Sequence, residues 1–167
     1  MTTYQIEGPW RGKLAIVPRP RGGEWLEDEV LTWQDQGFDV VVSLLTSDEM
    51  KDLDLDREAD LSRMHGLQFC EFPIPDLGVP DSLAAAQQLL VKLDKNLTAG
   101  KKVAIHCRQG IGRSGLVAAS LLVVSGVDPE MAFRRVSAAR GLPVPETSEQ
   151  RDWVVGLSRE FAAPVRR

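Results

Sequence analysis

The sequence predicts an α/β fold: a central, mostly parallel sheet of about four or five strands with helices on both faces. Three observations lead there. Apolar runs at 39–46, 67–72 and 101–106 have the length of strands rather than helices. Segments with helical spacing alternate with them, as parallel crossovers require. The run at 101–106 ends in a glycine-bearing loop that opens a further apolar segment, a strand–turn–helix unit.

The elements follow in order. KLAIVP (13–18) reads as a first strand, with Pro18, Pro20, Gly22 and Gly23 forming the turn after it. EWLEDEVLTWQDQGF sets Trp25, Leu26, Val30 and Trp33 at helical spacing and stops at Gly37. DVVVSLLT (39–46) is too apolar for a half-exposed strand and predicts a buried one. The charged stretch from Ser47 to Gly66 predicts one or two short helices, with His65 near a helix end and without a role. LQFCEF (67–72) is the next strand. Residues 83, 86, 90, 93 and 97 line one face of a long helix, capped by Asp81 or Ser82. KKVAIH (101–106) is a strand, and LVAASLLVV (116–124), apolar all round, is a buried helix. Asp128-Pro129 starts another helix with cap and proline in their preferred places. Trp153, Leu157 and Phe161 mark a final one. With no repeat, linker or low-complexity segment, residues 1–167 read as a single domain.

Composition narrows the function. The net charge is −4 and no basic stripe is present, which argues against nucleic acid. No segment has the shape of a membrane span or signal peptide. The terminal VRR is too small a cluster for stable membrane attachment. Two cysteines make no disulfide framework, so a cytoplasmic location is expected. His65 and His106 lack metal-ligand spacing, and no metal or cofactor is called for. Cys70, in a strand, reads as a small core residue; the alternative is a resolving thiol for Cys107.

The chemistry concentrates in VAIHCRQGIGRSG (103–115). Gly110 and Gly112 let the loop Arg108-Gln109-Gly110-Ile111-Gly112-Arg113 curl with its N–H groups inward. The helix that begins near Arg113 adds its own unpaired N–H groups. Together they form a bowl for a tetrahedral oxyanion. Arg113 closes the ring with a planar fork that binds two oxygens at once. Cys107 sits at the floor, where positive surroundings favour the thiolate, the nucleophilic form. Ser114 is placed to donate a hydrogen bond to the sulfur as it leaves. His106 is expected to orient the loop through backbone hydrogen bonds rather than to titrate, and Gly115 to permit close helix packing.

HCRQGIGRSG resembles the signature of the cysteine-dependent protein tyrosine and dual-specificity phosphatases. The resemblance spans about residues 24 to 155 and is specific at 106–115. It implies a metal-independent phosphomonoesterase acting through a phospho-cysteine. FPIPDLGVP (72–80) is similar to the family's acid loop, with Ile74 where a tryptophan is usual. That match makes Asp76 the general acid and then the general base; the rival Asp81 is better explained as a helix cap. PETSEQRDW (145–153) resembles the Glu-Thr-x-x-Gln pattern that follows the signature loop in the family. Gln150 then either positions the hydrolytic water or lies on the surface of a helix capped by Thr147 or Ser148. A bell-shaped pH–rate profile with an acidic optimum is expected. Expected partners are phosphorylated proteins or peptides, with inhibition by vanadate-like oxyanions. The loop's variable positions, 108–112, carry one cation and no lysines, which favours phosphoprotein over phosphoinositide substrates, and the absence of an aromatic clamping segment favours dual specificity. The other readings are a non-catalytic phospho-binding module and a sulfur-transfer or arsenate-reducing enzyme.

Overall fold

The computed structural model describes residues 2–162. Its five strands are β1 (Tyr4–Ile6), β2 (Lys13–Ile16), β3 (Val40–Ser43), β4 (Gln68–Glu71) and β5 (Lys102–His106). They lie in the order β1-β2-β5-β3-β4, with β1 antiparallel to β2 and every other pair parallel. The helices are α1 (Leu26–Asp35), α2 (Ser47–Asp52), α3 (Glu58–Met64), α4 (Leu83–Thr98), α5 (Gly112–Val124), α6 (Pro129–Arg140) and α7 (Ser148–Ala162). A single 3-10 turn, Gly23–Trp25, leads into α1.

Strand alternation divides the interior in two. Leu14, Ile16, Val42, Val103, Ile105 and Cys107 face a core shared with α4, α5, α6 and α7. Ala15, Val17, Val41, Phe69 and Ala104 face the other core, with Trp33 of α1 and Leu61 of α3. Helix α5 is buried along its length from Gly112 to Val123, its polar residues Arg113, Ser114 and Ser120 included. Gly115 is where α5 passes closest to the 144–145 segment: a Cβ there would lie 1.8 Å from Val144 Cγ1. Close packing thus explains this glycine.

The caps follow local chemistry. Ser82, not Asp81, caps α4 by accepting from Ala85 N at 3.1 Å. Asp128 Oδ2 accepts from Glu130 N at 3.0 Å to start α6, which ends on Gly141 in the left-handed region. Thr147 Oγ1 accepts from Gln150 N at 3.1 Å at the start of α7.

Two sequence expectations need correction. Strand β1 has no signal in the sequence: of its three residues only Ile6 is buried, so no periodicity announces it. Trp25 and Leu83, assigned to apolar helix faces, are 49% and 40% exposed because they stand at the entrances of their helices rather than inside them.

All four parallel strands end at one edge. Pairing runs out at Ile16↔Ile105 and Ser43↔His106, and Leu44 N donates to His106 O at 3.0 Å. The chain leaving β2, β3, β4 and β5 therefore enters one loop cluster at the carboxyl edge, where such sheets bind ligands.

Candidate active site

Cys107 is the first residue beyond β5 and is buried, with Gly110 N donating to its Sγ at 3.2 Å. The curl that allows this uses Gly110 at φ +72°, a conformation that Cβ-bearing residues avoid. The loop carbonyls are turned outward and held there. Arg19 Nη1 donates to Arg108 O at 2.8 Å, and Arg140 Nε donates to Gly110 O at 2.7 Å. Among the described residues, no other backbone N–H of residues 108–111 has a protein acceptor. The result is an inward-facing set of donors at the start of α5, over the sulfur.

Arg113, on the first turn of α5, is only 2% exposed. Its fork is anchored from behind by Glu49 of α2, with Nη1 to Oε1 at 2.6 Å and Nη2 to Oε2 at 2.9 Å. Nη1 also donates to Ile74 O at 3.0 Å. Among the described residues Nε has no acceptor, so the Nε–Nη2 edge is the one left to face the bowl. Burial opposes the charge on Arg113, but the bond to Glu49 and the negative charges of Cys107, Glu49 and Asp76 outweigh it, and its pKa rises. Glu49 is also fixed by a capping box with Thr46 at the start of α2.

The bonds from Arg113 hold the Glu49 carboxyl down to about 2, against a raising effect of burial and with help from Thr46. A folded-state pKa depressed from 4.5 contributes stability that is present above the unfolded value and lost as pH falls through the folded one. Between about pH 5 and about pH 2, the urea-unfolding free energy of the wild type is expected to lose about 2 kcal/mol relative to Glu49→Gln. An unchanged difference over that range would show that the Glu49 charge does not hold Arg113.

Asp76 lies in the loop after β4, with Oδ1 3.3 Å from Arg113 Nη2 and its side chain 63% exposed. Gly78 N donates to Pro75 O at 2.8 Å, closing a turn in which Leu77 adopts φ +61°. Asp76, Leu77, Cys107, Arg108, Gln109, Arg113 and Glu146 line one cleft of about 230 Å³.

Gln150 is fully buried, not on the helix surface. Its Nε2 donates to Gly78 O at 3.0 Å, and its Oε1 accepts from Glu146 N at 3.2 Å and Thr147 N at 3.3 Å. A Cβ on Gly112 would lie 3.1 Å from Gln150 Nε2 and 2.6 Å from Glu146 Oε1. Gln150 therefore ties the Asp76 loop to the segment ahead of α7, hard against the start of α5.

Two side chains differ from expectation. His106 does not bond the backbone: its Nε2 lies 2.6 Å from Glu58 Oε2, both groups fully buried, and its ring stacks on Trp33 at 5.9 Å. Strand alternation explains this, because His106 points to the core opposite that of Cys107. Ser114 is buried, but its Oγ has no hydrogen-bond partner among the described residues, and the sulfur is met by Gly110 N instead. Cys70 is a buried free thiol of β4, and β3 separates that strand from β5. Two strand spacings of about 4.8 Å exceed the reach of a disulfide, which favours the core role. The sequence gives no functional role to Glu49, Glu58, Arg19 or Arg140, and marks Glu146 only as the first residue of the Glu-Thr-x-x-Gln pattern. Of the first four, Glu49 has a local signal, the Thr46-x-x-Glu49 capping pattern, and that says nothing of Arg113.

Comparison with known proteins agrees with this architecture. A family model described as "Tc-R-P: Polymorphic toxin system, DSP-PTPase phosphatase" matches residues 17–127, well over half of the chain. "Cyclin-dependent kinase inhibitor 3" of Sus scrofa is 31% identical over 129 residues, covering 76% of this chain and 60% of that protein. Its Rattus norvegicus counterpart is 29% identical over 132 residues, covering 78% and 62%. The chain thus spans about three fifths of the length of these curated relatives. The crystal structure of kinase associated phosphatase with its catalytic-site cysteine replaced by serine superposes with a TM-score of 0.89 at 22% identity, covering 98% of this chain and 97% of that one. Tk-PTP in its active form gives 0.76 at 30% identity, covering 94% and 96%. The match across 17–127, on a fold whose sheet edge carries Cys107, its curled loop and Arg113, places this chain in the Tc-R-P family of the cysteine-based dual-specificity and tyrosine phosphatase superfamily.

Proposed function

We propose that the protein is a metal-independent phosphomonoesterase that acts through a phospho-cysteine on phosphorylated proteins or peptides. The observation that carries this is the single cleft lined by Cys107, Arg113 and Asp76, with the loop N–H groups over the sulfur. The substrate phosphate seats on the N–H groups of the 108–113 loop and on the Nε–Nη2 edge of Arg113. Cys107 attacks phosphorus in line, while Asp76 protonates the leaving oxygen. Asp76 then takes a proton from water as it attacks the phospho-cysteine, and the thiolate departs. The equatorial oxygens keep their donors throughout, so the charge they share in the transition state meets groups already oriented.

The remaining roles follow from contacts. Gln150, bonded to Gly78 O, sets the height of the Asp76 loop above the bowl. Ser114, buried with an unspent hydroxyl beneath the loop, is the donor available to the sulfur when it leaves. His106 fixes the end of β5 through Glu58. Leu77, exposed on the rim, offers the substrate an apolar contact. Among the described residues no helix is long and apolar enough to cross a membrane, and both cysteines are free thiols. A cytoplasmic, reducing compartment suits this chemistry.

Hydrolysis of phosphopeptides by wild type and Asp76→Asn tests the assignment. The variant is expected to lose about 100-fold in kcat and the alkaline limb of its pH–rate profile. The loss should be smaller for p-nitrophenyl phosphate, whose leaving group needs less help from an acid. Equal losses on both substrates would reject Asp76 as the proton donor.

A further inference from the structure

The segment between β2 and the 3-10 turn reads Pro18-Arg19-Pro20-Arg21-Gly22. Beyond Arg19's bond to the phosphate loop, the catalytic chemistry gives it nothing to do. It lines a second cleft of about 590 Å³ together with Leu53, Arg108 and Gln109. Arg108 and Gln109 also line the catalytic cleft. The two clefts are therefore neighbours that share the outer face of the phosphate loop.

Three guanidinium groups and no carboxylate line this second cleft. Their N–H groups outnumber the acceptors around them. Arg19 gives Nη1 to Arg108 O, and its side chain has no other acceptor among the described residues. Arg108 lies 3.9 Å from Glu49 Oε2, beyond hydrogen-bond distance, and Glu49 is already engaged by Arg113. Arg21 is held in place: Nε and Nη2 donate to Glu29 Oε1 at 3.2 and 2.9 Å, and its guanidinium lies 4.8 Å from the Trp25 ring centroid. Nη1 of Arg21 has no acceptor among the described residues. Prolines on both sides of Arg19, with Glu29 and Trp25 beside Arg21, reduce the entropy lost when the cleft binds an anion. A concentrated cationic cleft on a chain of net charge −4 attracts the opposite sign locally.

We propose that this cleft is a substrate subsite for a second negative group, a carboxylate or phosphate, carried by the phosphopeptide close to the residue being dephosphorylated. The subsite presupposes the phosphatase activity proposed above and specifies it: the enzyme selects acidic phosphopeptides. A peptide fits better than an anionic bilayer. Exposed Glu24 and Asp28, at the entrance to α1 a few residues beyond Gly22 in the chain, oppose a charged plane more than a single peptide.

The test compares two phosphotyrosine peptides of equal length, one with aspartates and glutamates around the phosphotyrosine and one with alanines there. Wild type is expected to favour the acidic peptide by about fivefold in kcat/KM, and 0.5 M NaCl should erode the preference. Arg21→Ala should bring the ratio close to one. Glu29→Gln frees Arg21 from its counter-charge and should raise the ratio above wild type. A purely structural role for the Arg21–Glu29 pair instead predicts that both variants leave the ratio alone, and that result overturns the subsite. So does a wild-type ratio of one or less, or faster hydrolysis of phosphoinositide vesicles than of either peptide. Absence of wild-type turnover on p-nitrophenyl phosphate would overturn the phosphatase activity itself, a failure distinguishable from loss of the ratio alone.

Discussion

Replacing Cys107 by Ser is expected to remove turnover of p-nitrophenyl phosphate by at least about 10⁴-fold while leaving the fold and the oxyanion bowl in place. The sulfur is buried at the loop floor and meets Gly110 N, a bond that a serine oxygen of similar position can also accept. The serine hydroxyl is a poor nucleophile because no base is aimed at it: His106, the adjacent imidazole, points to the opposite core and bonds Glu58. The variant should therefore still bind inorganic phosphate, read as a rise in its melting temperature with added phosphate. Residual turnover above about one percent of wild type would mean that chemistry proceeds without a covalent phospho-enzyme. Loss of both turnover and phosphate binding would mean that the sulfur holds the loop together rather than attacking phosphorus.

Arg113→Lys is expected to lower kcat/KM by about 10³-fold, equivalent to about 4 kcal/mol of transition-state stabilisation. Charge is conserved, so geometry carries the effect. Arg113 spends Nη1 on Glu49 and Ile74 O and shares Nη2 with Glu49, yet keeps the Nε–Nη2 edge for two phosphate oxygens. A lysine ammonium has three donors on one atom and cannot hold both oxygens of Glu49 and bridge two more on the opposite side. The fall should appear in kcat as well as in phosphate affinity, because the planar fork matches the equatorial oxygens best in the trigonal arrangement they reach in the transition state. A loss under tenfold would show that a point charge suffices and that the Glu49 brace has no catalytic consequence. Thermal melts of the variant, read beside those of Glu49→Gln, separate a loosened α2–α5 contact from a lost fork.

The features legible in the sequence are those whose causes are local. The strand ending at His106, the glycine-bearing curl and the buried helix behind it lie within one short stretch, and their backbone conformations are dictated by residues next to each other. The same holds for Ser82 and Asp128 as caps and for the alternation of strands and helices that announces a mostly parallel sheet. Strand β1 escaped because three residues carry no period, and the exposure of Trp25 because helical spacing does not say where the first turn stands relative to the core.

Only the tertiary structure decided the partners. Glu49 and Arg113 are 64 residues apart, Glu58 and His106 48, Gln150 and Gly78 72, and Arg19 and Arg108 89. Glu49, Glu58, Arg19 and Gly78, each read by itself, are ordinary helix or loop residues. They meet because the strand order β2-β5-β3-β4 brings the carboxyl ends of all four parallel strands to one edge. Sequence by itself specified the nucleophile's loop, since its shape is a property of contiguous backbone. Which carboxylate would brace the arginine, which arginines would turn the loop carbonyls outward, and which core the histidine would enter depended on sheet order and strand parity. Those are properties of the assembled chain and of no single segment.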